Sequence, residues 1–200
     1  LIAAVGIAGT IQFAAMSIAI GMMIGGVAMV SRALGQGKPE RARKIATASL
    51  LLTTAVQAAI AVLLYIFRVP VLSFSGAEGE VLAAADHFLA LSLVSLPLVA
   101  AGIMCSALLR GAGDAWRSML VTVAGGVVAV ALDPVLIVWA GWGITGAALS
   151  IVLSRLLMAA VGIWFILRPH HLLARPSLTD ARILAGPFFA IALPAIGTQI

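Results

Sequence analysis

From Leu1 to Ser31 the chain holds no Asp, Glu, Lys or Arg. A helix through such a run rises about 1.5 Å per residue and outspans the roughly 30 Å of hydrocarbon in a bilayer. The run is longer than the apolar region of a signal peptide, has no basic segment before it, and is followed by further apolar runs, so it reads as a membrane span. Charge-free runs recur at Ile45–Phe67, His87–Leu109, Ser118–Leu132, Pro134–Ser154, Leu156–Leu167 and Ile183–Ile200. Hydrophobic residues make up 63% of the chain and charged ones 10%, against roughly 45–50% and about 25% in soluble domains. A soluble fold of this size could not hide so much apolar surface. The runs are continuous rather than alternating, which points to helices and not to a barrel of strands. The fold class expected is all-α, a polytopic transmembrane helix bundle. Because the chain begins at Leu1 and ends at Ile200 in apolar sequence, it reads as a fragment of a longer membrane protein. The single Cys105 excludes an intrachain disulfide framework and a multi-cysteine metal cluster, and reads as inert packing.

Passing over the isolated charges Asp133 and Arg155, five spans emerge, at roughly 3–31, 43–67, 83–109, 117–139 and 144–167, with a sixth beginning near Leu184. The links alternate in charge. The first carries Arg32, Lys38, Arg41, Arg43 and Lys44, the third Arg110 and Arg117, the fifth Arg168, Arg175 and Arg182. The second carries only Arg68, beside Glu78 and Glu80, and the fourth, Ala140–Gly143, carries none. By the positive-inside rule the links near 32–44, 110–117 and 168–182 are expected to be cytoplasmic, in a multi-pass protein of the plasma or inner membrane. Tyr65, Phe67, Trp116, Trp139, Trp142 and Trp164 fall near span ends, as an interfacial belt requires. The net charge of +5 thus has a topological origin, and Lys38–Lys44 reads as a patch facing phospholipid. The partners expected are the bilayer, small-molecule substrates and the remainder of the chain itself, with no nucleic acid.

Two of the basic links look alike. Ser31-Arg32-Ala33-Leu34-Gly35-Gln36-Gly37 and Leu109-Arg110-Gly111-Ala112-Gly113-Asp114 each set an Arg and a Gly-x-Gly at the end of a span. Glycine admits left-handed backbone, so both read as tight inter-helix turns rather than phosphate-cradling loops, which would follow a strand. With Leu132-Asp133-Pro134, Gly143-Ile144-Thr145-Gly146-Ala147-Ala148 and Ala192-Leu193-Pro194-Ala195, these pieces resemble, in order and spacing, the multidrug and toxic compound extrusion (MATE) family of cation-coupled exporters. The resemblance covers essentially the whole chain. It implies that the five spans are the second to sixth of twelve. Residues 1–168 would be an N-terminal lobe lacking its first span, 169–183 the cytoplasmic connector, and 184–200 the start of the C-terminal lobe.

Asp133 is the leading candidate for function, since a carboxylate at membrane depth is costly and by default functional. Thr122, Gly126 and Ala129 share its face, a small and partly polar one expected to look into the bundle. Pro134 cannot donate to the carbonyl of Val130, leaving that oxygen beside the carboxylate as a possible proton or hard-cation site. The resemblance implies that an aspartate here belongs to a coupling-ion site. The family often has Asn where this chain has Ala129, and Thr where it has Ile151. With those oxygens absent, H+ is expected over Na+ as the coupling ion. No cofactor and no metal ligand set is expected. The alternative is an Asp133 neutralised by Arg155 that serves packing alone. Arg155 is the second anomaly, at a depth differing by roughly 7–8 Å. It could pair with Asp133 in one conformational state, snorkel, or bond to backbone carbonyls.

Among the remaining features, Gly21 and Gly25 form a GxxxG suited to close helix contact. Met22, Met23 and Met29 either line an adaptable apolar cavity or face lipid. Pro97 should kink the third span, as a static bend or a hinge. His87, next to Asp86, reads as an interfacial residue, and His170 and His171 lack the neighbours that a metal site needs. The function expected is secondary active export of amphipathic compounds, cationic on the resemblance alone, in exchange for H+ or Na+. A lipid-linked saccharide flippase of the same superfamily is the first alternative, and a structural membrane protein the next. An intramembrane enzyme is the most remote, because no His lies mid-span and Asp133 is the only mid-span carboxylate. The protein is therefore expected not to be an enzyme.

Overall fold

The computed structural model describes residues 2–168, 172–174 and 178–197, with side chains throughout except at 2, 3, 178–182 and 196. His170, His171 and Arg175 lie outside the described residues, as does the side chain of Arg182. The described residues form helices and turns without strands: α1 (Ile2–Gly35), α2 (Pro39–Ile66), α3 (Arg68–Phe74), α4 (Gly79–Ser92), α5 (Ser95–Gly111), α6 (Ala115–Pro134), α7 (Gly143–Leu167) and α8 (Leu178–Gly197). A five-residue π-helical turn, Val135–Trp139, extends α6. Four helices, α1, α2, α6 with its π turn, and α7, are long and apolar enough to cross a membrane. The bent pair α4–α5, counted as one span, brings the number to five. The bundle is thus all-α and polytopic.

The links follow from local chemistry. Three of them end a helix in the same way. Lys38 N–H donates to Ala33 O across 3.0 Å and Gly37 N–H to Leu34 O across 2.9 Å. Asp114 N–H bonds Leu109 O and Gly113 N–H bonds Arg110 O, both at 2.9 Å. Ala77 and Gly76 repeat the pattern on Leu72 and Ser73. This double bond pattern closes a helix only when the turning residue has positive φ, and Gly37, Gly76 and Gly113 stand at +67°, +85° and +88°. Asp114 then opens α6: Oδ1 accepts from the Arg117 N–H at 2.9 Å and Oδ2 from the Arg117 guanidinium at 2.8 Å.

The third span breaks where proline chemistry requires it. α4 and α5 meet at 48° across Leu93 and Val94. Pro97 has no N–H for the carbonyl of Leu93, which instead accepts from Leu96 N–H at 3.0 Å in a tighter turn. Ser95 Oγ bonds Ser92 O at 2.5 Å and Ser92 Oγ bonds Phe88 O at 2.7 Å, so hydroxyls supply donors that the helix has lost. The short α3, which sequence reading leaves as link, is held against α4 by the Arg68–Asp86 ion pair at 2.6 Å, with Arg68 stacked over Tyr65. Asp86 is thus committed to Arg68, while His87 Nε2 meets Thr145 Oγ1 at 2.9 Å, tying α4 to α7.

Small residues bring the helices together. α7 is wedged between α5 and α6. A Cβ on Gly162 would lie 2.7 Å from Cys105 Cβ, one on Gly125 3.4 Å from Ser154 O, and one on Gly146 2.6 Å from Leu136 O. α8 packs on α1, with Gly25 against Ala192 and the carbonyl of Phe188. Gly21 is buried beside it. α8 begins at Leu178, six residues before the apolar sequence suggests. Met22 is fully buried in the core that also holds Val30, Met104, Leu108 and Phe188, so it faces neither lipid nor a cavity. Sequence cannot tell that face because α1 is apolar all round. The six aromatics expected in an interfacial belt are all exposed, from Tyr65 to Trp164.

The α6–α7 contact yields a stability prediction. Gly146→Ala places a methyl against the backbone of Leu136 and should destabilise the fold by about 1–3 kcal/mol. Gly126→Ala has nothing within 4 Å of the added carbon and should be neutral. Thermal unfolding of the two variants in detergent reads the difference.

Candidate functional site: a charged pair of depths between α6 and α7

Asp133 lies six residues before the end of the π turn, about 9 Å in from it along the helix. Its side chain is half-buried, and no hydrogen bond or ion pair joins it to the described residues. The helix continues through Pro134 and widens at once, with Ala140 N–H reaching back five residues to Val135 O at 2.8 Å. Such π turns relieve a ladder that a proline has interrupted and recur at functional sites. No described helix packs on the small face around Asp133, the face expected to look into the bundle. Thr122 and Gly126 are exposed, and Gly126 shares a shallow apolar depression with Val123, Val127, Val130 and Ala131. The packed face of α6 is instead that of Val121 and Gly125, because only a glycine or a small contact there lets α7 approach. Ala129 is half-buried between the two faces.

Arg155 sits at the centre of α7. With Gly125 against Met158 and Gly146 against Leu136, the antiparallel register sets Asp133 level with residues 149–150 of α7. Arg155 is then five to six residues further along, about 8–9 Å by helical rise. The two do not form an ion pair in this conformation. Arg155 Nη1 donates to Ser95 Oγ at 2.5 Å, so the guanidinium is held inward on the α4–α5 break, neither snorkelling nor bonded to a carbonyl. Ser95 belongs to a buried polar cluster: Gln12 Nε2 on α1 bonds Ser92 Oγ, and Ser92 and Ser95 bond back into their own helix. Gln12, Ser92 and Ser95 are 6%, 0% and 0% exposed. A cavity of about 260 Å³ opens over this cluster, lined by Gly9, Gln12 and Phe13 of α1, Phe88 of α4, and Ile151 and Arg155 of α7. Gln12, Ser92 and Ser95 were not singled out from sequence. Their signal was present as a lone amide in a charge-free run and two serines in the turn before Pro97.

The turn residues gather at the basic end. Arg110 donates to Ser106 Oγ and Ser118 Oγ at 3.1 and 2.9 Å, clasping α5 to α6. Ser31 Oγ donates to the carbonyl of Gly111, joining α1 to α5. Gly35 is exposed at the end of α1, and Arg32 lines a cleft with Gln36, Arg41 and Pro187. Arg110 and Ser31 thus join neighbouring helices at this end. Among the described residues no group of three or more His, Cys, Asp or Glu could hold a metal ion.

The two charges should separate in a stability measurement. Ser95→Ala removes the acceptor of a desolvated guanidinium and should cost about 1–3 kcal/mol. Asp133→Asn removes no bond and should leave the unfolding midpoint unchanged.

Comparison with known proteins follows the same architecture. The family model described as MatE matches residues 1–135. Protein DETOXIFICATION 44, chloroplastic, of Arabidopsis thaliana is 35% identical over 80 residues, 40% of this chain and 15% of that protein. A FAD transporter of Shewanella oneidensis is 27% identical over 173 residues, 84% of this chain and 38% of that protein. The solved structure of the Vibrio cholerae MATE transporter VcmN in the bent form superposes with a TM-score of 0.89 at 25% identity, covering 98% of this chain and 45% of that one. The chain therefore spans less than half the length of each of these relatives.

Proposed function

The chain belongs to the MatE family of membrane transporters, and on that premise we propose that it forms most of one lobe of a secondary active exporter. The exporter carries amphipathic organic compounds outward in exchange for H+ or Na+, with H+ the favoured ion. The links 32–44, 110–117 and 168–182 face the cytoplasm of a cell-membrane protein. Residues 1–168 act as the lobe, 169–183 as the connector, and 184–200 open the second lobe, whose remainder completes a central cavity.

The observation that carries this reading is Asp133. It is a half-buried carboxylate within a span, with no hydrogen bond or ion pair to the described residues, on a face that no described helix covers. A carboxylate committed to packing would be bonded, whereas one that takes up and releases a proton needs access. Ala129 and Ile151 offer no side-chain oxygen for a sodium cage, and protonation requires none. A proton bound here can drive export only by favouring one conformational state over another. The break at Leu93–Val94 and the π turn after Pro134 are the places where the spans can bend. Organic cations are the cargo class that the family resemblance implies. A flippase for lipid-linked saccharides is the second reading, and Arg155 at mid-membrane favours it, because such cargo is anionic.

The full-length protein in right-side-out vesicles loaded with a fluorescent cationic dye should extrude the dye when an acid-outside pH gradient is imposed. Asp133→Asn should reduce extrusion to the level of vesicles without the protein. Full activity of Asp133→Asn would remove the carboxylate from the coupling mechanism. Lipid-linked saccharide movement without dye efflux would favour the flippase.

A further inference from the structure

The pocket beside Arg155 has a chemistry that the exporter reading leaves unused. Arg155 stands twelve residues from either end of α7, the deepest level that this helix offers. A guanidinium presents five N–H donors in a planar fork. The described residues give it one bond, to the hydroxyl of Ser95. Ser95 in turn spends its own proton on Ser92 O, so it is an acceptor for Arg155 with no charge to offer. Each ion pair resolved in the structure uses a different carboxylate: Glu40 holds Arg43, Asp86 holds Arg68 and Asp114 holds Arg117. Asp133 is about 8–9 Å away along the axis. Among the described residues a full positive charge is thus held at mid-membrane on a neutral partner, which is the costly half of an ion pair.

The charge lines a pocket that is open on one side. The cavity of about 260 Å³ is walled by apolar groups, Val5, Phe13, Met16, Phe88 and Ile151, with Arg155 and Gln12 as its polar members. Gln12 is fixed by its bond to Ser92, and an amide nitrogen has a second proton to give. An apolar box with two convergent donors, one charged, is complementary to an apolar body that ends in a carboxylate, sulfonate or phosphate.

We infer that the α1–α4–α7 pocket is a cargo subsite in which Arg155 and Gln12 bind the acidic group of an amphipathic anion or zwitterion. This rests on the transporter reading and sharpens its cargo class: a compound whose acidic end sits here can still carry a positive group elsewhere, but a simple organic cation is repelled from this point. Ser92 and Ser95 position the two donors. The broken span supplies them, so the bend between α4 and α5 and the subsite are one device.

The test is equilibrium binding to the purified full-length protein in detergent, with no gradient, using 2-naphthalenesulfonate and 2-naphthylmethylammonium as probes of equal body and opposite charge. The wild type should prefer the sulfonate. Arg155→Gln should lose about tenfold or more of its affinity for the sulfonate, the effect of one charge-assisted hydrogen bond, and leave the ammonium probe unweakened. Arg155→Lys should keep most of the preference. Should Arg155→Gln fail to fold, Ile151→Trp fills the pocket without touching the charge and should abolish sulfonate binding. Equal binding of the two probes by the wild type, or sulfonate affinity unmoved by Arg155→Gln or Ile151→Trp, would overturn the subsite. Binding and transport fail separately. A protein that prefers the sulfonate and moves nothing down an imposed gradient keeps the subsite and loses the exporter reading. One that exports but shows no preference does the reverse.

Discussion

In hydrocarbon every backbone N–H and C=O must find its partner within the protein, and the rest of this structure is arranged around that requirement. Straight helices meet it by themselves, which is why α1, α2 and α7 run uninterrupted for 34, 28 and 25 residues. The places where the helical ladder fails are therefore conspicuous. Besides the two prolines inside α8, Pro187 and Pro194, they fall at Pro97 and Pro134, and these two are answered differently. Before Pro97 the chain breaks and serine hydroxyls bond the loosened turn. At Pro134 the helix holds its course and then widens into a π turn. Both candidate charges sit beside these answers, Asp133 next to Pro134 and Arg155 on Ser95. A broken ladder supplies polar groups at a depth where an intact helix has none to spare.

Association of the helices cannot rest on the hydrophobic effect, because lipid is as apolar as the helix surfaces. Close packing takes its place. Glycines at 25, 125, 146 and 162 bring backbones or short side chains into contact. That contact sets the register between α6 and α7, and the register sets the depth difference between Asp133 and Arg155. The small residues thus act on function indirectly, through where they hold two charges. Arg110 with Ser106 and Ser118, and Arg68 with Asp86, clamp the bundle at its two ends, where water limits the cost of the charge.

Much of this was legible beforehand for a simple reason. Span existence and turn positions depend on composition and on local backbone conformation, and both are written in consecutive residues. Gly37 and Gly113 announce their left-handed turns, and the Leu1–Ser31 run announces a span, whatever else the chain does. Which face of a helix points where was not legible. α1 and α6 are apolar almost all round, so periodicity carries no direction, and Met22 turned out other than expected. The Gln12–Ser92–Ser95–Arg155 cluster joins residues up to 143 positions apart, and no local pattern encodes such a meeting.

Taken alone, the sequence determined that this protein is a polytopic helix bundle, where its spans turn, and that Asp133 and Arg155 are the charges without a topological purpose. Those conclusions follow from the cost of placing polar groups in hydrocarbon, which is a property of each segment by itself. Only the tertiary structure decided that Asp133 has no partner among the described residues while Arg155 is held on Ser95 beside an apolar pocket. That outcome depends on the interlocking of α5, α6 and α7 at their glycines, a matter of shape between segments that no single segment contains.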